Sequence, residues 1–320
     1  MKKILLIRFS SIGDIVLTTP VIRCIKEQKP GIEIHFLTKN SFRSILENNP
    51  HITKVHAIEK DVNEIIEDLK KENFDFIVDL HNNLRSSQVK MKLRKPSSAF
   101  KKLNFRKWLL VNFKINTMPD VHVVDRYLQT AEALGIKNDH KGLDYFIPAK
   151  DEVNISDFPL SHQSGYTGFV IGAKHYTKQL PVEKIISICK KINGPVVLLG
   201  GKEDLERATQ IEAAAGPIIY NACGKYNLNQ SASIVRQATK IISHDTGLMH
   251  IAAAFKKEII SVWGNTVPEF GFTPYLPAPG SKMVEVKGLP CRPCSKIGYD
   301  KCPQGHFKCM RNIDEDAVAS

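Results

Sequence analysis

Short apolar runs alternate with amphipathic segments along most of the chain, and this alternation limits the fold to a small set. In the first half, strands are predicted over residues 3–9, 32–38, 54–58 and 74–80, and helices over 14–28, 42–47 and 62–72. In the second half, strands are predicted over 167–172, 195–200, 218–221, 240–244 and 258–263, and helices over 181–192, 204–215, 228–237 and 247–255. Strands separated by helices of this length form parallel sheets with helices on both faces.

A polar stretch over residues 148–168 interrupts this rhythm and indicates a domain boundary. We therefore predict an N-terminal domain over residues 1–158 and a C-terminal domain over residues 159–320, each long enough to have its own core. The predicted architecture is α/β, with two Rossmann-like, doubly wound domains facing each other across a cleft. Such sheets bind ligands beyond the C-terminal ends of their strands, so functional residues are expected at strand-to-helix junctions.

The sequence predicts a cytoplasmic location. No apolar run approaches the roughly 20 residues that span a bilayer. The apolar start of the chain is interrupted by Arg8, which favours a first strand over a signal peptide. Three of the seven cysteines, Cys24, Cys189 and Cys223, are scattered, and we predict that they are small buried residues.

Positive charge is concentrated in one segment. The net charge is +12, and no acidic residue lies between Asp79 and Asp120. The basic residues of this segment are Arg85, Lys90, Lys92, Arg94, Lys95, Lys101, Lys102, Arg106, Lys107 and Lys114. A local concentration of positive charge attracts anionic partners. The candidates here are a nucleic acid, a phosphorylated lipid surface or an acidic glycolipid. A solvated face is the alternative, but the missing compensating acids favour binding.

The junction after the first predicted strand carries Asp14 but not the glycine pattern of a dinucleotide-binding loop. Only Gly13 is present, which argues against an oxidoreductase. Asp14 lies at the start of a helix, where an acid is stabilised by the helix dipole. It is therefore either a capping residue or a general base that faces the cleft.

A second junction follows the predicted strand that ends at His244. Asp245, Thr246 and Gly247 open an alanine-rich helix, whose unpaired backbone N–H groups form a potential anion site. His250 lies three residues after Gly247, on the same early face of the helix. A capped helix with one satisfied histidine is the other interpretation of this composition.

This second motif, residues 242–254, closely resembles the nucleotide-sugar signature of glycosyltransferase family 9, the bacterial ADP-heptose:lipopolysaccharide heptosyltransferases. Other stretches are similar to family segments in the same order, and the resemblance runs from residue 3 to about residue 313. These stretches are residues 10–14, residues 79–86 with Arg85, residues 122–126 with His122 and Arg126, residues 178–181 with Lys178, and residues 200–203 with Glu203.

The resemblance implies the GT-B fold and an inverting, metal-independent transfer of a heptose or related sugar from an ADP-sugar to a lipopolysaccharide core acceptor. No cofactor is implied. By position in the family motifs, Asp14 would be the catalytic base and Lys178 would neutralise the departing diphosphate. The implied donor-binding residues are Glu203, Asp245, Thr246, Gly247 and His250, and the implied acceptor-binding residues are Arg85, His122 and Arg126.

The resemblance also implies the partners: an ADP-sugar donor, an anionic lipid-linked oligosaccharide acceptor and the inner-membrane surface, with no nucleic acid. The protein would be cytoplasmic and peripherally associated with that membrane. In the family, the lysine is followed by an aromatic or apolar residue and a proline. Here Lys178 is followed by Gln179, Leu180 and Pro181, so the packing around adenine or the sugar can differ.

The C-terminal segment contains Cys291, Cys294, Cys302 and Cys309, with His306 between the last two. This spacing is compatible with a structural zinc site and equally with reduced thiols. The chain ends where a helix begins, over residues 314–320, whereas GT-B proteins usually return a final helix to the N-terminal domain. We therefore expect a final helix that is either short or truncated.

Two alternatives remain at this point. A basic nucleic-acid-binding protein would explain the charged segment, but it requires aromatic positions among the charges, which Phe100, Phe105 and Trp108 supply only in part. A GT-B sugar-nucleotide epimerase would consume its sugar nucleotide without any acceptor.

Overall fold

A computed structural model describes all residues, Met1–Ser320, and contains eleven strands and thirteen α-helices. The strands are β1 (Lys3–Ile7), β2 (Glu33–Lys39), β3 (Lys54–Ile58), β4 (Phe76–Asp79), β5 (Ser97–Ala99), β6 (Thr167–Val170), β7 (Val196–Leu199), β8 (Ile219–Asn221), β9 (Lys240–His244), β10 (Glu258–Trp263) and β11 (Lys282–Glu285). The helices are α1 (Ile12–Val16), α2 (Thr19–Gln28), α3 (Ile66–Lys71), α4 (Leu84–Leu93), α5 (Asn104–Phe113), α6 (Val123–Thr130), α7 (Leu160–Gln163), α8 (Val182–Lys191), α9 (Leu205–Ala215), α10 (Leu228–Gln237), α11 (Gly247–Ala254), α12 (Lys308–Arg311) and α13 (Glu315–Ala319).

The chain folds into two compact units. The first unit comprises Met1–Lys102 and Val121–Phe146, and the second comprises Leu103–Asp120 and Ile147–Ser320. The chain therefore enters the second unit for the last time at Ile147, which lies upstream of the predicted boundary at residue 158. The predicted boundary leaves each of the two sheets whole, but it assigns Leu103–Asp120, which contains α5, to the other side. None of the helices combines the length and the apolar character needed to cross a membrane.

The first unit contains a five-stranded parallel sheet in the order β3-β2-β1-β4-β5. The central strand β1 is buried along almost its whole length, because both of its faces are covered. One apolar core contains Leu5, Leu37 and Ile77 of the sheet together with Leu69 of α3 and Val89 of α4. The strand order reverses between β1 and β4, which creates a crevice at their C-terminal ends.

The second unit contains a six-stranded parallel sheet in the order β11-β10-β9-β6-β7-β8. Read from the other edge, the order is that of a dinucleotide-binding Rossmann sheet, and its reversal lies between β6 and β9. The core of this unit includes Phe169, Leu198 and Ile242 from the strands and Ile188 from α8. Val318 of the short final helix α13 belongs to the same core.

Most predicted elements are confirmed, and four of them (residues 54–58, 228–237, 240–244 and 258–263) have the predicted bounds. The prediction of one continuous helix over residues 14–28 is wrong, because the chain forms α1 and α2 with a break at Leu17 and Thr18. The hydroxyl of Thr18 donates to the carbonyl of Ile15 at 2.6 Å, and that of Thr19 donates to Val16 at 2.7 Å. Such side-chain bonds to the backbone compete with regular helix. The segment predicted as a helix at 42–47 forms a 3-10 helix, Asn40–Ile45.

Helix α5 is attached to the second unit by one face only. Leu110 is buried against Val267 and Phe270, with Val111, Met118 and Phe272 packed around them. The ammonium of Lys107 lies 4.9 Å from the ring centre of Phe272. The other side chains of the helix include three exposed aromatic residues, which are considered below.

A polar cluster lies within the first unit. His35 on β2 and His56 on β3 are both buried, and His35 Nδ1 lies 2.9 Å from His56 Nε2. Both rings meet Phe74 edge-on. Burial, together with His35 and Lys54, lowers the pKa of His56 to about 4, and burial also lowers the pKa of His35. Both imidazoles are therefore neutral near pH 7.

Candidate functional site

The residues predicted to act on substrates lie at the crevices of the two sheets. In the first unit, Asp14 follows β1 and Arg85 follows β4, the two strands that flank the reversal. In the second unit, Lys178 lies on the connection after β6, and Asp245 directly follows β9. These are the positions where open α/β sheets bind ligands.

The Asp14 carboxylate is held by several donors in the first turn of α1. Its Oδ2 accepts hydrogen bonds from the Ser11 amide at 3.2 Å and from the Ser11 hydroxyl at 2.7 Å. Its Oδ1 pairs with Arg8 Nη2 at 2.5 Å and accepts from the Tyr127 hydroxyl at 3.5 Å. About a fifth of the side chain, 22%, is exposed, so a substrate hydroxyl can reach this oriented carboxylate. Asp14 thus belongs to the capping box of α1 and keeps a partly exposed carboxylate.

Arg8 organises this crevice, although it is not among the predicted site residues. Its Nη1 donates to the carbonyl of Leu80 beyond β4 at 2.6 Å, and its Nε donates to the carbonyl of Ser10 at 2.7 Å. The guanidinium also lies beside the ring of Tyr127. Burial disfavours its charged form, but the combined effect of Asp14, Tyr127 and Asp79 outweighs burial and raises the pKa of Arg8. The sequence signal that could have identified Arg8 is a charged residue immediately after a predicted buried strand.

Helix α6 supplies two residues to the same region: Arg126, which is a predicted site residue, and Tyr127, which is not. Burial raises the pKa of Tyr127, so its hydroxyl stays protonated and can donate to Asp14. Arg126 is buried, lies 4.9 Å from the Phe100 ring centre, and donates from Nη2 to the carbonyl of Lys101 at 2.8 Å. Its other terminal nitrogen, Nη1, has no hydrogen-bond partner. His122 caps the helix, and its Nδ1 accepts from the amide of Val124.

The segment after β4 combines buried and exposed charges. Asp79, the last residue of the strand, is fully buried and lies 2.8 Å from the ammonium of Lys90. It also accepts from the amides of His81 and Asn82, which shapes the turn into α4. Arg85, in the first turn of α4, is exposed. Lys90 therefore has a structural role in this segment, whereas Arg85 is available to a ligand.

In the second unit, α11 begins at the C-terminal end of β9. Thr246 is its N-cap in an extended conformation, but its side chain makes no capping hydrogen bond to the helix. The Thr246 hydroxyl instead lies 3.3 Å from that of Ser243. His250 is buried in the second turn. A helix start whose amides are not capped by a side chain is suited to an anion.

Lys178 lies against this helix start. Its ammonium donates to Asp245 Oδ2 at 2.6 Å and to the Asp245 carbonyl at 3.3 Å. The Thr266 hydroxyl, from the loop after β10, donates to the same carboxylate oxygen at 3.1 Å. The next segment is fixed by the amide of Leu180, which donates to His244 Nε2 at 3.0 Å. The structure therefore brings Lys178, Asp245 and Thr246 together at the β6–β9 reversal.

The loops after β6 and β7 approach each other closely around Asp204. A Cβ atom at Gly172 would lie 2.1 Å from Asp204 Oδ2, so a larger residue there would displace the Asp204 side chain. Asp204 accepts a hydrogen bond from the amide of Gly201 at 3.0 Å. Glu203, which precedes it, is exposed at the C-terminal edge of the sheet. Glu203 is a predicted donor-binding residue, and the neighbouring Asp204 stabilises the turn on which Glu203 lies.

The C-terminal cysteines form a loose group in the second unit. Cys291 Sγ lies 3.9 Å from His306 Nε2, and the Cys294 thiol donates to the Cys291 carbonyl at 3.0 Å. Cys309 is buried in the core, and burial raises its pKa to about 12. No three ligand atoms of this group lie within 4.8 Å of one another, and the two interpretations, a zinc site and reduced thiols, both stand. Cys24, Cys189 and Cys223 are buried, as predicted.

The two crevices differ in chemistry. The first holds an oriented carboxylate paired with the buried guanidinium of Arg8. The second offers an ammonium group and helix amides, which match the charge of a phosphate ester or diphosphate.

Comparison with known proteins relates the whole chain to sugar-transferring enzymes. The model of glycosyltransferase family 9 (heptosyltransferase) matches residues 62–301. Lipopolysaccharide heptosyltransferase 1 of Campylobacter coli is 27% identical over 288 residues, covering 82% of this chain and 84% of that protein.

Two solved structures share the fold. The glycosyl transferase family 9 protein of Veillonella parvula superposes with a TM-score of 0.75 at 22% identity, covering 88% of this chain and 85% of that one. Escherichia coli ADP-heptose lps heptosyltransferase II superposes with a TM-score of 0.70 at 21% identity, covering 98% of each chain. The predicted class, two doubly wound domains of the GT-B type, is confirmed. The family match over most of the sequence and the shared architecture establish that the chain belongs to glycosyltransferase family 9 and is a heptosyltransferase-like glycosyltransferase.

Proposed function

We propose that this glycosyltransferase acts in lipopolysaccharide core synthesis, moving a heptose or a related sugar from an ADP-sugar to a core acceptor. We propose further that the reaction inverts the anomeric centre and uses no metal ion. One observation carries the proposal: the ammonium of Lys178 lies at the uncapped start of α11, held there by Asp245 at the β6–β9 reversal. The relatives named above include lipopolysaccharide and ADP-heptose heptosyltransferases.

The donor is proposed to bind at the second unit. Lys178 and the first amides of α11, at Thr246 and Gly247, would bind the diphosphate, and this arrangement can offset its charge without a metal ion. Asp245 and His250 would orient the sugar and phosphate. Glu203 is exposed at the edge of the same sheet, where its carboxylate can accept hydrogen bonds from ribose hydroxyls.

The transfer is proposed as a single displacement. An acceptor hydroxyl oxygen forms a bond to the anomeric carbon while Asp14 takes the hydroxyl proton. The bond between the anomeric carbon and the β-phosphate oxygen breaks, and its electron pair leaves on ADP. Lys178 and the α11 amides stabilise the charge that develops there. One displacement at the anomeric carbon inverts its configuration.

The acceptor is proposed to be anionic, and the first unit supplies the cations. Arg126 has an unpaired buried nitrogen, Nη1, and an unpaired buried donor is costly until it meets an acceptor. A phosphate or carboxylate of an inner-core glycolipid would supply one. Arg85 is exposed in the first turn of α4, and His122 precedes Arg126 by one helical turn. These three residues are the proposed acceptor contacts.

We propose that the exposed side of α5 binds the cytoplasmic face of an anionic membrane. The aromatic surface consists of Phe105, Trp108 and Phe113, which are 69%, 44% and 57% exposed. Their rings contact one another, with centroid separations of 6.0 and 5.1 Å. Arg106 and Lys114 flank them on a segment without acidic residues. Aromatic rings beside cations are suited to the interface of an anionic bilayer.

Replacing the aromatic surface with serine at Phe105, Trp108 and Phe113 should abolish binding to vesicles that contain anionic lipid. Each ring contributes about 1.5–3 kcal/mol to membrane binding when it leaves water. The loss of all three rings should therefore lower the coefficient for partitioning onto vesicles by far more than about tenfold. Vesicle co-sedimentation measures it. The matched control replaces three exposed apolar residues elsewhere, Leu160, Leu276 and Met283, and should bind as the unaltered protein does. Equal binding by both variants would contradict a role for α5.

The donor proposal is tested by thermal unfolding with candidate ligands. ADP at saturating concentration should raise the melting temperature by several degrees, because a ligand that binds only the folded state stabilises it. Short DNA and RNA oligonucleotides at the same concentration should leave the melting temperature unchanged. Stabilisation by oligonucleotides and not by ADP would instead favour a nucleic-acid-binding protein.

A further inference from the structure

We propose that His35, His56 and Glu72 form a binding site for a divalent transition metal, with Zn²⁺ as the preferred ion. These residues are the one group of three or more histidine, cysteine, aspartate or glutamate residues whose ligand atoms all lie within 4.8 Å of one another. They come from three elements of the first unit: β2, β3 and the end of α3. None of them has a part in the proposed transfer reaction.

The separations of the ligand atoms match the size of such an ion. His35 Nδ1 and His56 Nε2 are 2.9 Å apart. One oxygen of Glu72 lies 3.9 Å from His35 Nδ1, and the other lies 3.9 Å from His56 Nε2. Ligand atoms around a tetrahedral zinc ion with bonds of about 2.0–2.2 Å lie roughly 3.3–3.6 Å apart, so the three groups need to shift by only about half an ångström. Two imidazoles and one carboxylate are also an established ligand set for zinc.

The protonation states of the imidazoles allow both to act as ligands. Without a metal, one proton is shared between His35 Nδ1 and His56 Nε2. A neutral imidazole can carry its proton on either nitrogen, so both facing nitrogens can present lone pairs when the protons move to the outer nitrogens. No net proton release from the pair is then required. The Phe74 ring, which meets both imidazoles edge-on, restricts their orientation.

Two lysines compete with a metal ion for Glu72. Lys54 Nζ donates to Glu72 Oε1 at 2.6 Å, and Lys3 Nζ donates to Oε2 at 2.9 Å. The Lys54 side chain is 55% exposed and can move into solvent, whereas that of Lys3 is 25% exposed and also pairs with Glu33 at 3.4 Å. We infer that an incoming cation displaces Lys54. Removal of this lysine should therefore strengthen metal binding.

The site lies apart from the groups that are proposed to react. His35 pairs in register with Leu5 of β1, and His56 pairs with Leu37 of β2, so both lie on the body of the sheet. The crevice of Asp14 begins beyond the C-terminal end of β1. A bound ion would join β2, β3 and the end of α3, and would leave a coordination position for water.

The test is titration of the purified, chelator-treated full-length protein with Co²⁺ and Zn²⁺. Cobalt bound to imidazole and carboxylate gives visible d–d bands without the intense near-ultraviolet band of a cobalt–thiolate bond. Spectroscopy therefore separates this site from the C-terminal cysteines. One equivalent of Co²⁺ should bind with the thiolate-free spectrum, and Zn²⁺ should displace it.

Variants decide whether these three residues are the ligands. His56→Gln and Glu72→Gln should each weaken Zn²⁺ binding by at least about tenfold, on the scale of changes around metal sites. Lys54→Met should strengthen Zn²⁺ binding several-fold. If Lys54 and Glu72 only stabilised the fold as an ion pair, this increase would not be expected. His51→Asn, a histidine change outside the cluster, should leave affinity unchanged, and thermal unfolding without metal checks that each variant is folded. Unchanged affinity in folded His56→Gln, or a spectrum with only the thiolate band, would overturn the proposal.

Discussion

Asp14→Asn is expected to lose transfer of the sugar while it retains the affinity for ADP. Asparagine has nearly the same shape, but it cannot accept the proton of the attacking hydroxyl. Loss of a general base slows a reaction by about 10²–10⁴-fold, and steady-state turnover with an ADP-sugar and a core acceptor measures this. ADP affinity should hold because the nucleotide is proposed to bind at the second unit.

The control for this variant is Asp125→Asn. Asp125 is the third residue of α6 as Asp14 is the third residue of α1, and it accepts a hydrogen bond from Asn138 at 2.7 Å. It has no assigned role in transfer, so its variant should turn over at close to the normal rate. Loss of the Asp14 charge leaves Arg8 without its ion pair, so the melting temperature of Asp14→Asn should also be measured. Normal turnover by folded Asp14→Asn would remove Asp14 as the base.

Lys178→Met is expected to reduce both ADP affinity and turnover. The ammonium is proposed to contact the diphosphate in the ground state and to stabilise its developing charge during transfer. Removing one such preorganised group typically costs about 10²–10³-fold in turnover. Calorimetric titration with ADP should show the accompanying loss of affinity, and steady-state kinetics should show the loss of turnover.

Lys184→Met is the matched control for this change. The Lys184 ammonium pairs with Glu315 at 2.7 Å, and its side chain is 21% exposed. Lys178 pairs with Asp245 at 2.6 Å, and its side chain is 17% exposed. The two changes therefore break similar ion pairs in the same unit, but only Lys178 lies at the start of α11. Equal losses of ADP affinity in both variants would show that the effect is not specific to the diphosphate site.

Much of the sheet framework could be predicted, because it depends on short-range patterns. The strands β3, β9 and β10 are uninterrupted β-prone runs bounded by polar or turn residues, and they have the predicted bounds. The break between α1 and α2 depends on the hydroxyls of Thr18 and Thr19 bonding to nearby carbonyls. Helical periodicity does not report such local competition, so the single predicted helix was wrong.

Sequence motifs locate candidate site residues at strand-to-helix junctions, but they do not identify the buried side chains that support them. Asp14, Lys178 and Asp245 stand at strand-to-helix junctions, where a sequence pattern can locate them. The role of Arg8 follows from its bond to the carbonyl of Leu80, a contact across 72 positions of sequence that no local pattern encodes. The aromatic surface of α5 was predicted only in part: the sequence shows apolar residues beside the positive charges, but it does not say that Leu110, rather than Trp108, faces the protein.

The most direct test is to incubate the protein with ADP-heptose and a heptose-acceptor core glycolipid, and to quantify ADP and the product together. ADP release should require the acceptor and match, mole for mole, acceptor molecules enlarged by one sugar with inverted anomeric configuration. Consumption of ADP-heptose without an acceptor, or a product that retains the donor's configuration, would contradict transfer by a single displacement.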